Sequence, residues 1–265
     1  MKIWAVANQK GGVGKTTTAV NLAGLLVRQE QRVLLVDMDP HGSMTAYFGH
    51  DPDMLEKSNY LLFQASSAEL QDTARQILLP TSVEGLSLLP ASTAMATIDR
   101  QLGAQKGKGL VLKQTMQGLN QDFDHVIIDC PPLLGILMVN ALAACEHLVL
   151  PVQTEFLALK GLERMMHTLE MILKSRNGDL EYTIVATMYD KRTRAAQESV
   201  EMLKKLYREY LAETIIPIDT QFREASKQGL PLSVSQPKAR GTLAYEELLK
   251  ELQGKKVTHL KLVNT

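Results

Sequence analysis

Two lysines, three glycines and two threonines follow a short apolar run near the start of the chain. The segment reads Lys10-Gly11-Gly12-Val13-Gly14-Lys15-Thr16-Thr17. Glycines allow a backbone to bend so that successive N–H groups face one anion. Lys15 adds a full positive charge, and Thr16 carries a hydroxyl suited to Mg2+. All eight residues are therefore predicted to form a loop that binds the phosphates of a nucleotide.

Lys10 precedes the glycines and is one lysine more than phosphate binding needs. A standard phosphate loop has glycine at position 9, where this chain has Gln9. Lys10 is either a solvated residue at the end of a strand or a functional cation, and the glycines together with Lys15 favour the second interpretation. A functional Lys10 contacts the nucleotide of its own chain or that of a neighbour. The residues alone leave both open.

Carboxylates follow two other apolar runs. Residues 33–36 lead into Asp37 and Asp39, and residues 126–128 lead into Asp129. A carboxylate at such a place either binds Mg2+ and orients an attacking water, or caps the next helix. Beside a phosphate loop the first role is favoured. Thr16, Asp39 and Asp129 are the predicted metal residues.

Apolar runs alternate with segments of helical periodicity along the chain. Helices are predicted from Lys15 to about Arg28, at Leu157–Lys174 and at Ala195–Tyr210, while residues 51–80 are the least regular part and are expected to be a surface excursion. The predicted strands are residues 2–8, 32–37, 86–89, 125–129, 147–152, 182–188 and 214–216. This alternation predicts an α/β fold in which a mainly parallel sheet has helices on both faces. Its ligand should lie beyond the carboxyl ends of the strands.

Composition excludes several classes of protein. The chain has 265 residues, 45% of them hydrophobic, and its two cysteines are too few for a disulfide framework. No run reaches the roughly 18 apolar residues of a membrane helix, and no leader is visible, so a cytoplasmic protein is expected. Residues 1–155 carry 11 basic and 15 acidic side chains, and residues 156–265 carry 18 and 14. The basic second half is compatible with a nucleic-acid patch or with solvated helix faces.

The loop with its extra lysine resembles the deviant phosphate loop of the ParA/MinD family of ATPases, and the resemblance covers almost the whole chain. It implies a single-domain P-loop NTPase that uses ATP and Mg2+ and turns over slowly unless a partner stimulates it. In that family the lysine matched by Lys10 crosses the dimer interface to the other nucleotide. Asp39 matches the residue that positions the hydrolytic water, although residues 40–43 read Pro-His-Gly-Ser instead of P-Q-G-N. The implied catalytic residues are Lys10, Lys15 and Asp39.

Two later segments resemble family sequences that border the nucleotide. Residues 151–162 are similar to P-x-Q-x-E-x-x-A-L-x-G-L, so Glu155 is either the acidic residue near the nucleotide and dimer interface or an ordinary helix-start residue. Residues 215–219 resemble the I-P-x-[ND] segment beside the adenine. By this match Pro217 packs on the ring and Asp219 accepts from its amino group, whereas residue types alone indicate a turn.

A third segment bears on partners. Residues 187–194 resemble T-M-x-D-x-R-T, whose arginine, matched by Arg192, is implicated in non-specific DNA binding by partition proteins. Those proteins commonly read I-P-R-N where this chain has Ile218, and residues 222–231 look more like relatives that position protein cargo, including the ParC group that places chemotaxis arrays at cell poles. Lys and Arg on one face bind phosphate without sequence choice. The candidate nucleic-acid residues are Arg192, Arg194, Arg223 and Lys227.

The C-terminal region argues against membrane attachment. MinD-like members end in a basic amphipathic helix, whereas residues 243–252 here include acidic side chains that anionic lipid repels. The predicted single domain spans residues 1–265. Residues 1–155 hold the phosphate, metal and switch motifs, residues 156–254 the base, dimer and partner surfaces, and residues 255–265 a tail.

The expected function is an ATP-dependent dimerising switch that positions or segregates cargo, either a protein assembly such as a chemotaxis array or a chromosome or plasmid. A homodimer in the ATP state, a protein adaptor or ParB-like stimulator, and non-specific DNA are the expected partners, with a cytoplasmic, nucleoid-associated or polar location. Two alternatives stay open. One is a DNA-partition protein proper with a centromere-binding partner, and the other is a metabolic P-loop enzyme such as a dethiobiotin-synthetase-like ligase.

Overall fold

Seven strands form one sheet in the order β3-β4-β2-β5-β1-β6-β7. The computed structural model describes residues 1–102, 107–175 and 180–254, so the predicted tail lies outside the described residues. The strands are β1 Lys2–Val6, β2 Val33–Asp37, β3 Leu79–Pro80, β4 Leu86–Leu89, β5 His125–Asp129, β6 His147–Gln153 and β7 Glu181–Thr187. All neighbours are parallel except β3 and β4. The predicted α/β class with a mainly parallel sheet is confirmed.

Helices cover both faces of this sheet. They are α1 Lys15–Arg28, α2 Ser43–Tyr47, α3 Tyr60–Gln64, α4 Leu70–Ile77, α5 Ile98–Leu102, α6 Val111–Gly118, α7 Ile136–Ala144, α8 Phe156–Ser175, α9 Arg194–Tyr207, α10 Gln221–Gln228, α11 Leu232–Ser235 and α12 Arg240–Gly254. Side chains of β1 alternate between two cores: Ile3 and Ala5 pack in one, Trp4 and Val6 in the other. Because strands such as β2 and β5 are buried on both sides, they read as continuous apolar runs.

The prediction of a strand at residues 214–216 is wrong. The Glu251 carboxylate on α12 accepts from the backbone N–H groups of Glu213 at 2.9 Å and Thr214 at 2.8 Å. Residues 210–218 therefore run beside β7 with only isolated bridges, at Leu211 and Pro217. They still bond to the outer edge of β7, since Ala212 N donates to Ile184 O at 2.8 Å.

Residues 51–80 are more regular and more buried than the predicted surface excursion. They contain α3 and α4, and Leu62 and Phe63 are buried in the core. The segment is thus part of the packed layer over β4 and β2, and the expected surface excursion is wrong.

Candidate nucleotide and magnesium site

The glycine-rich loop joins β1 to α1 at the carboxyl edge of the sheet. Gly12 has φ +75° and Gly14 has φ +91°, a left-handed conformation that residues with a Cβ rarely adopt. Gly14 directly precedes α1, whose first N–H groups and positive dipole end face the loop. The predicted phosphate loop therefore has the backbone of an anion site.

Lys15 is buried, with 8% of its surface exposed. Its Nζ donates to the carbonyl oxygen of Lys10 across the loop at 3.4 Å, and no carboxylate of the described residues forms an ion pair with it. A buried ammonium without a counter-ion is costly in free energy. A phosphate group in the loop would supply that counter-ion.

Asp129 lies at the end of β5 beside the first turn of α1. Thr16 Oγ1 donates to Asp129 Oδ2 at 2.6 Å, whereas Oδ1 is buried without a hydrogen-bond partner among the described residues. Burial, and after it the negative charge of Asp37, raise the pKa of Asp129 above its usual range. An orphaned oxygen beside a threonine hydroxyl fits Mg2+, which would stabilise the charged carboxylate.

The metal would not rest on protein ligands alone. In the described residues no group of three or more His, Cys, Asp or Glu side chains is arranged to hold an ion. Mg2+ commonly keeps waters and takes one or two carboxylates plus nucleotide phosphates. Thr16 and Asp129, which are in contact, are therefore the residues that would hold it. Asp39, the third predicted metal residue, instead accepts hydrogen bonds from His41.

Asp37 organises the segment that carries Asp39. Its Oδ1 accepts from Asp39 N at 3.1 Å, and its Oδ2 accepts from both the N–H and the hydroxyl of Thr45, at 2.8 and 2.7 Å. Asp39 in turn accepts from the His41 ring nitrogen Nδ1 at 2.9 Å. Of these two carboxylates, Asp37 is buried and supports the turn, whereas Asp39 is partly buried and pairs with His41.

Lys10 is paired within its own chain. Its Nζ donates to the Glu155 carboxylate just before α8, and Gln9 Nε2 donates to Thr168 Oγ1 on α8 at 3.0 Å. Two residues that the resemblance places at the nucleotide, Lys10 and Glu155, are therefore in contact with each other. In this arrangement the Lys10 ammonium contacts the residue that precedes α8 rather than the phosphate loop.

The predicted base site is a cavity of about 360 Å3 next to the loop. The residues that line this cavity include Thr17, Met188, Pro217, Asp219 and Tyr245. The Asp219 carboxylate accepts from Gln221 N at 3.0 Å and from Gly241 N at 2.9 Å, so it also fixes the starts of α10 and α12. The cavity has a largely apolar wall that suits a planar ring.

The candidate nucleic-acid residues carry internal partners. Arg192 forms a two-pronged pair with Asp190 and lowers the pKa of that carboxyl to about 2, and Arg194 donates to Glu198 at 2.6 Å. Lys227 similarly pairs with Glu224 on α10. All three remain exposed, so phosphate groups can still reach them.

A second cavity, of about 560 Å3, lies next to the base site. It is lined by Lys191, Arg192 and Arg240 around the exposed Ile218, and Arg240 donates to the Ile218 carbonyl oxygen. The sequence indicates Arg240 only as one of the basic residues of the second half, and its place beside Ile218 is not predicted because the two lie 22 residues apart along the chain. The fold thus brings the Arg240 guanidinium next to Ile218, where the partition-protein pattern has an arginine.

Comparison with known proteins identifies the family. A family model described as an AAA domain matches residues 1–182. The sporulation initiation inhibitor protein Soj of Bacillus subtilis is 38% identical over 252 residues, covering 95% of this chain and 98% of that protein. The chromosome partitioning protein ParA of Myxococcus xanthus is 36% identical over 253 residues, 95% of this chain and 87% of that one. The chain belongs to the ParA/MinD family of ATPases.

A similar solved structure agrees with the predicted cofactors. The structure of cobyrinic acid a,c-diamide synthase from Mycobacterium smegmatis with bound ADP and magnesium has a TM-score of 0.81 and 34% identity, covering 98% of this chain and 99% of that one. Its adenine nucleotide and metal agree with the ATP and Mg2+ predicted for this ParA/MinD-family chain. In the described residues no helix has the length and apolar content needed to cross a membrane.

Proposed function

We propose that the protein is an ATP-driven switch that hydrolyses ATP with Mg2+ and positions or segregates intracellular cargo. Two features beside the glycine-rich loop carry this proposal: among the described residues, buried Lys15 forms no ion pair with a carboxylate, and the Oδ1 atom of Asp129 has no hydrogen-bond partner. Lys15 binds the phosphates, Thr16 and Asp129 hold Mg2+, and Asp39 orients the attacking water. Catalysis then depends on positioning and charge rather than on a covalent intermediate.

The ATP state is proposed to be a homodimer. Four apolar side chains are exposed beyond the carboxyl ends of the strands, where the loop also lies. They are Leu133, Leu134, Leu157 and Phe156, the last to 68%. Apolar side chains grouped in this way favour burial against another surface. In the dimer Lys10 leaves Glu155 and reaches the nucleotide of the other subunit.

Light scattering of the purified protein with ATP, ADP or no nucleotide tests this assembly. We expect ATP to produce a dimer in the wild type and in the control Lys250→Ala, which removes an exposed lysine on α12. Lys10→Ala should weaken the ATP-dependent dimer by about ten-fold or more, since a charge-assisted contact across the interface is lost. Equal dimerisation of Lys10→Ala and wild type would disprove the role across the interface.

The matrix for positioning is proposed to be DNA, bound through Arg192, Arg194, Arg223 and Lys227. The names of the relatives Soj and ParA support partition, and a ParB-like adaptor is the proposed stimulating partner. The proposed location is the cytoplasm, the nucleoid or a pole, and the proposed cargo is a chromosome, a plasmid or a chemotaxis array. Phosphate contacts predict binding that weakens with salt and ignores sequence.

DNA retention at increasing salt tests the placement of this surface. We expect the protein to be retained on DNA with ATP but not with ADP. In Arg192→Ala, the slope of the logarithm of the binding constant against the logarithm of salt concentration should be about one unit smaller. Arg75→Ala is the matched control, because Arg75 pairs with Asp122 in the first half of the chain. If both variants bind DNA as the wild type does, Arg192 is not part of the surface.

A second candidate is an ATP-dependent synthase acting on a small substrate. The name of the Mycobacterium smegmatis structure favours it. ATP turnover that is stimulated by a small carboxylic acid and unaffected by DNA or an adaptor protein would support this candidate over the switch.

A further inference from the structure

We infer that His41 is a positioning residue for ATP hydrolysis, holding the carboxylate of Asp39 in the orientation that receives the attacking water. The inference rests on the proposed function, in which Asp39 orients that water. His41 is exposed to 79% in its side chain and is not used by nucleotide or metal binding as described above. Its contact with Asp39 nevertheless links it to the reacting groups.

The two oxygens of Asp39 differ in their surroundings. Oδ1 accepts from the backbone N–H of His41 at 3.0 Å and from its ring Nδ1 at 2.9 Å. Oδ2 has no hydrogen-bond partner in the described part of the chain. Because a carboxylate only accepts, Nδ1 carries the proton. His41 thus binds one oxygen twice and leaves the other available to a water.

The backbone of His41 is fixed from both sides. Gly42 N donates to Asp39 O at 2.8 Å, which closes a tight turn, and Asp37 binds the N–H of Asp39. Gly42 has φ +61° and packs against Pro52, where a Cβ would overlap the proline ring. The ring therefore extends from a rigid turn. An exposed side chain on such a turn can hold its partner with little loss of entropy.

A series of substitutions separates positioning from general effects. Asparagine places an N–H donor at the same bond distance from Cα as Nδ1, glutamine places it one bond further, and alanine has none. Steady-state ATPase kinetics and ADP affinity are measured for His41→Asn, His41→Gln and His41→Ala. The matched control is His50→Gln, a histidine of the same region that lies outside the site.

We expect kcat to fall about five-fold in His41→Ala, the loss of one exposed charge-assisted hydrogen bond, and to fall less in His41→Gln, because glutamine keeps an N–H donor and is the residue of the family pattern at this position. The KM for ATP and the Kd for ADP should stay within about two-fold of wild type, and His41→Asn should restore most of kcat. The control should match wild type.

Equal kcat across the series, or a loss confined to nucleotide affinity, would overturn the inference while leaving the proposed ATPase intact. A wild-type protein without ATP turnover would instead remove the proposed function and the inference with it. Thermal unfolding of each variant shows whether the exposed substitution has altered the fold.

Discussion

One oxygen of the Asp129 carboxylate accepts a hydrogen bond from Thr16, whereas the other has no hydrogen-bond partner among the described residues. The buried, partnerless Oδ1 raises the free energy of the nucleotide-free protein, because its desolvation is not repaid by a hydrogen bond. Asp37 adds a second buried negative charge close by. A divalent cation bound there would remove both penalties. The protein would then be less stable without the metal and would bind the metal more tightly.

Asp129→Asn tests this role in metal binding. Mg2+ should raise the affinity of the wild type for ADP. We expect this increase to be at least about ten-fold smaller in the variant, because the charged ligand is gone. In the absence of Mg2+ its affinity for ADP should equal that of wild type. Calorimetric titration with Mg2+ and with a chelator measures both quantities.

Asp122→Asn is the control, because it removes an exposed carboxylate that pairs with Arg75. A variant Asp129→Asn that keeps the full Mg2+ effect would show that the metal is held elsewhere.

Elements that combine periodicity with a loop motif could be predicted from sequence, and those that depend on distant side chains could not. The end of β1, the loop and α1 follow from local residue types. Residues 214–216 were predicted as a strand because Ile215 and Ile216 are β-branched. Glu251, which diverts their backbone, lies 37 residues away from Thr214. Local pattern carries no information about such a partner.

The residues of the candidate site also divide into those that local motifs predict and those that depend on distant contacts. Local motifs predict Lys15, Thr16 and Asp129 as site residues, and the structure brings Asp129 into contact with Thr16. The sequence assigns no role to His41 and indicates Arg240 only as one basic residue of the second half, because a histidine in a turn and an arginine at a helix start are ordinary surface residues. Their significance depends on the turn geometry and on the approach of α12 to residue 218.

The packing of α1 on α11 requires glycine at position 24. A Cβ there would lie 2.6 Å from Pro231 Cβ and would overlap the Ser233 hydroxyl. Alanine favours a helix by about 1 kcal/mol over glycine, while overpacking against a rigid ring costs about 1–3 kcal/mol. We therefore expect Gly24→Ala to lower the free energy of unfolding by about 1 kcal/mol, measured by urea denaturation.

Gly254→Ala is the matched control, since nothing lies within 4 Å of its added Cβ. It should change stability by less than about 0.5 kcal/mol. Equal stability of the two variants would show that α1 and α11 separate easily.

The whole molecule should lose stability in mild acid through His125. This side chain is buried at the start of β5, and both of its ring nitrogens lack hydrogen-bond partners among the described residues. Burial, and after it the charge of Lys2, lower its pKa. Above about pH 6.5 the ring is neutral in both states, and below it the unfolded chain takes up a proton first. Its contribution to stability therefore falls as pH drops from about 6.5 to the folded pKa.

Urea unfolding at pH 7.5 and 5.5 measures this effect as a difference between wild type and His125→Phe. We expect wild type to lose more stability than the variant over that interval, while phenylalanine keeps the edge contact with Trp4. Parallel losses in the two proteins would assign the acid sensitivity to other groups.

The flanks of the sheet bear on how the protein behaves in crowded assemblies. On one side residues 210–218 occupy the outward N–H and C=O groups of β7, and on the other β3 has two residues and ends in Pro80. Short, proline-bearing or covered edges block the strand-to-strand growth that leads to aggregation. If copies gather on one cargo as proposed, these edges should keep their sheets from joining.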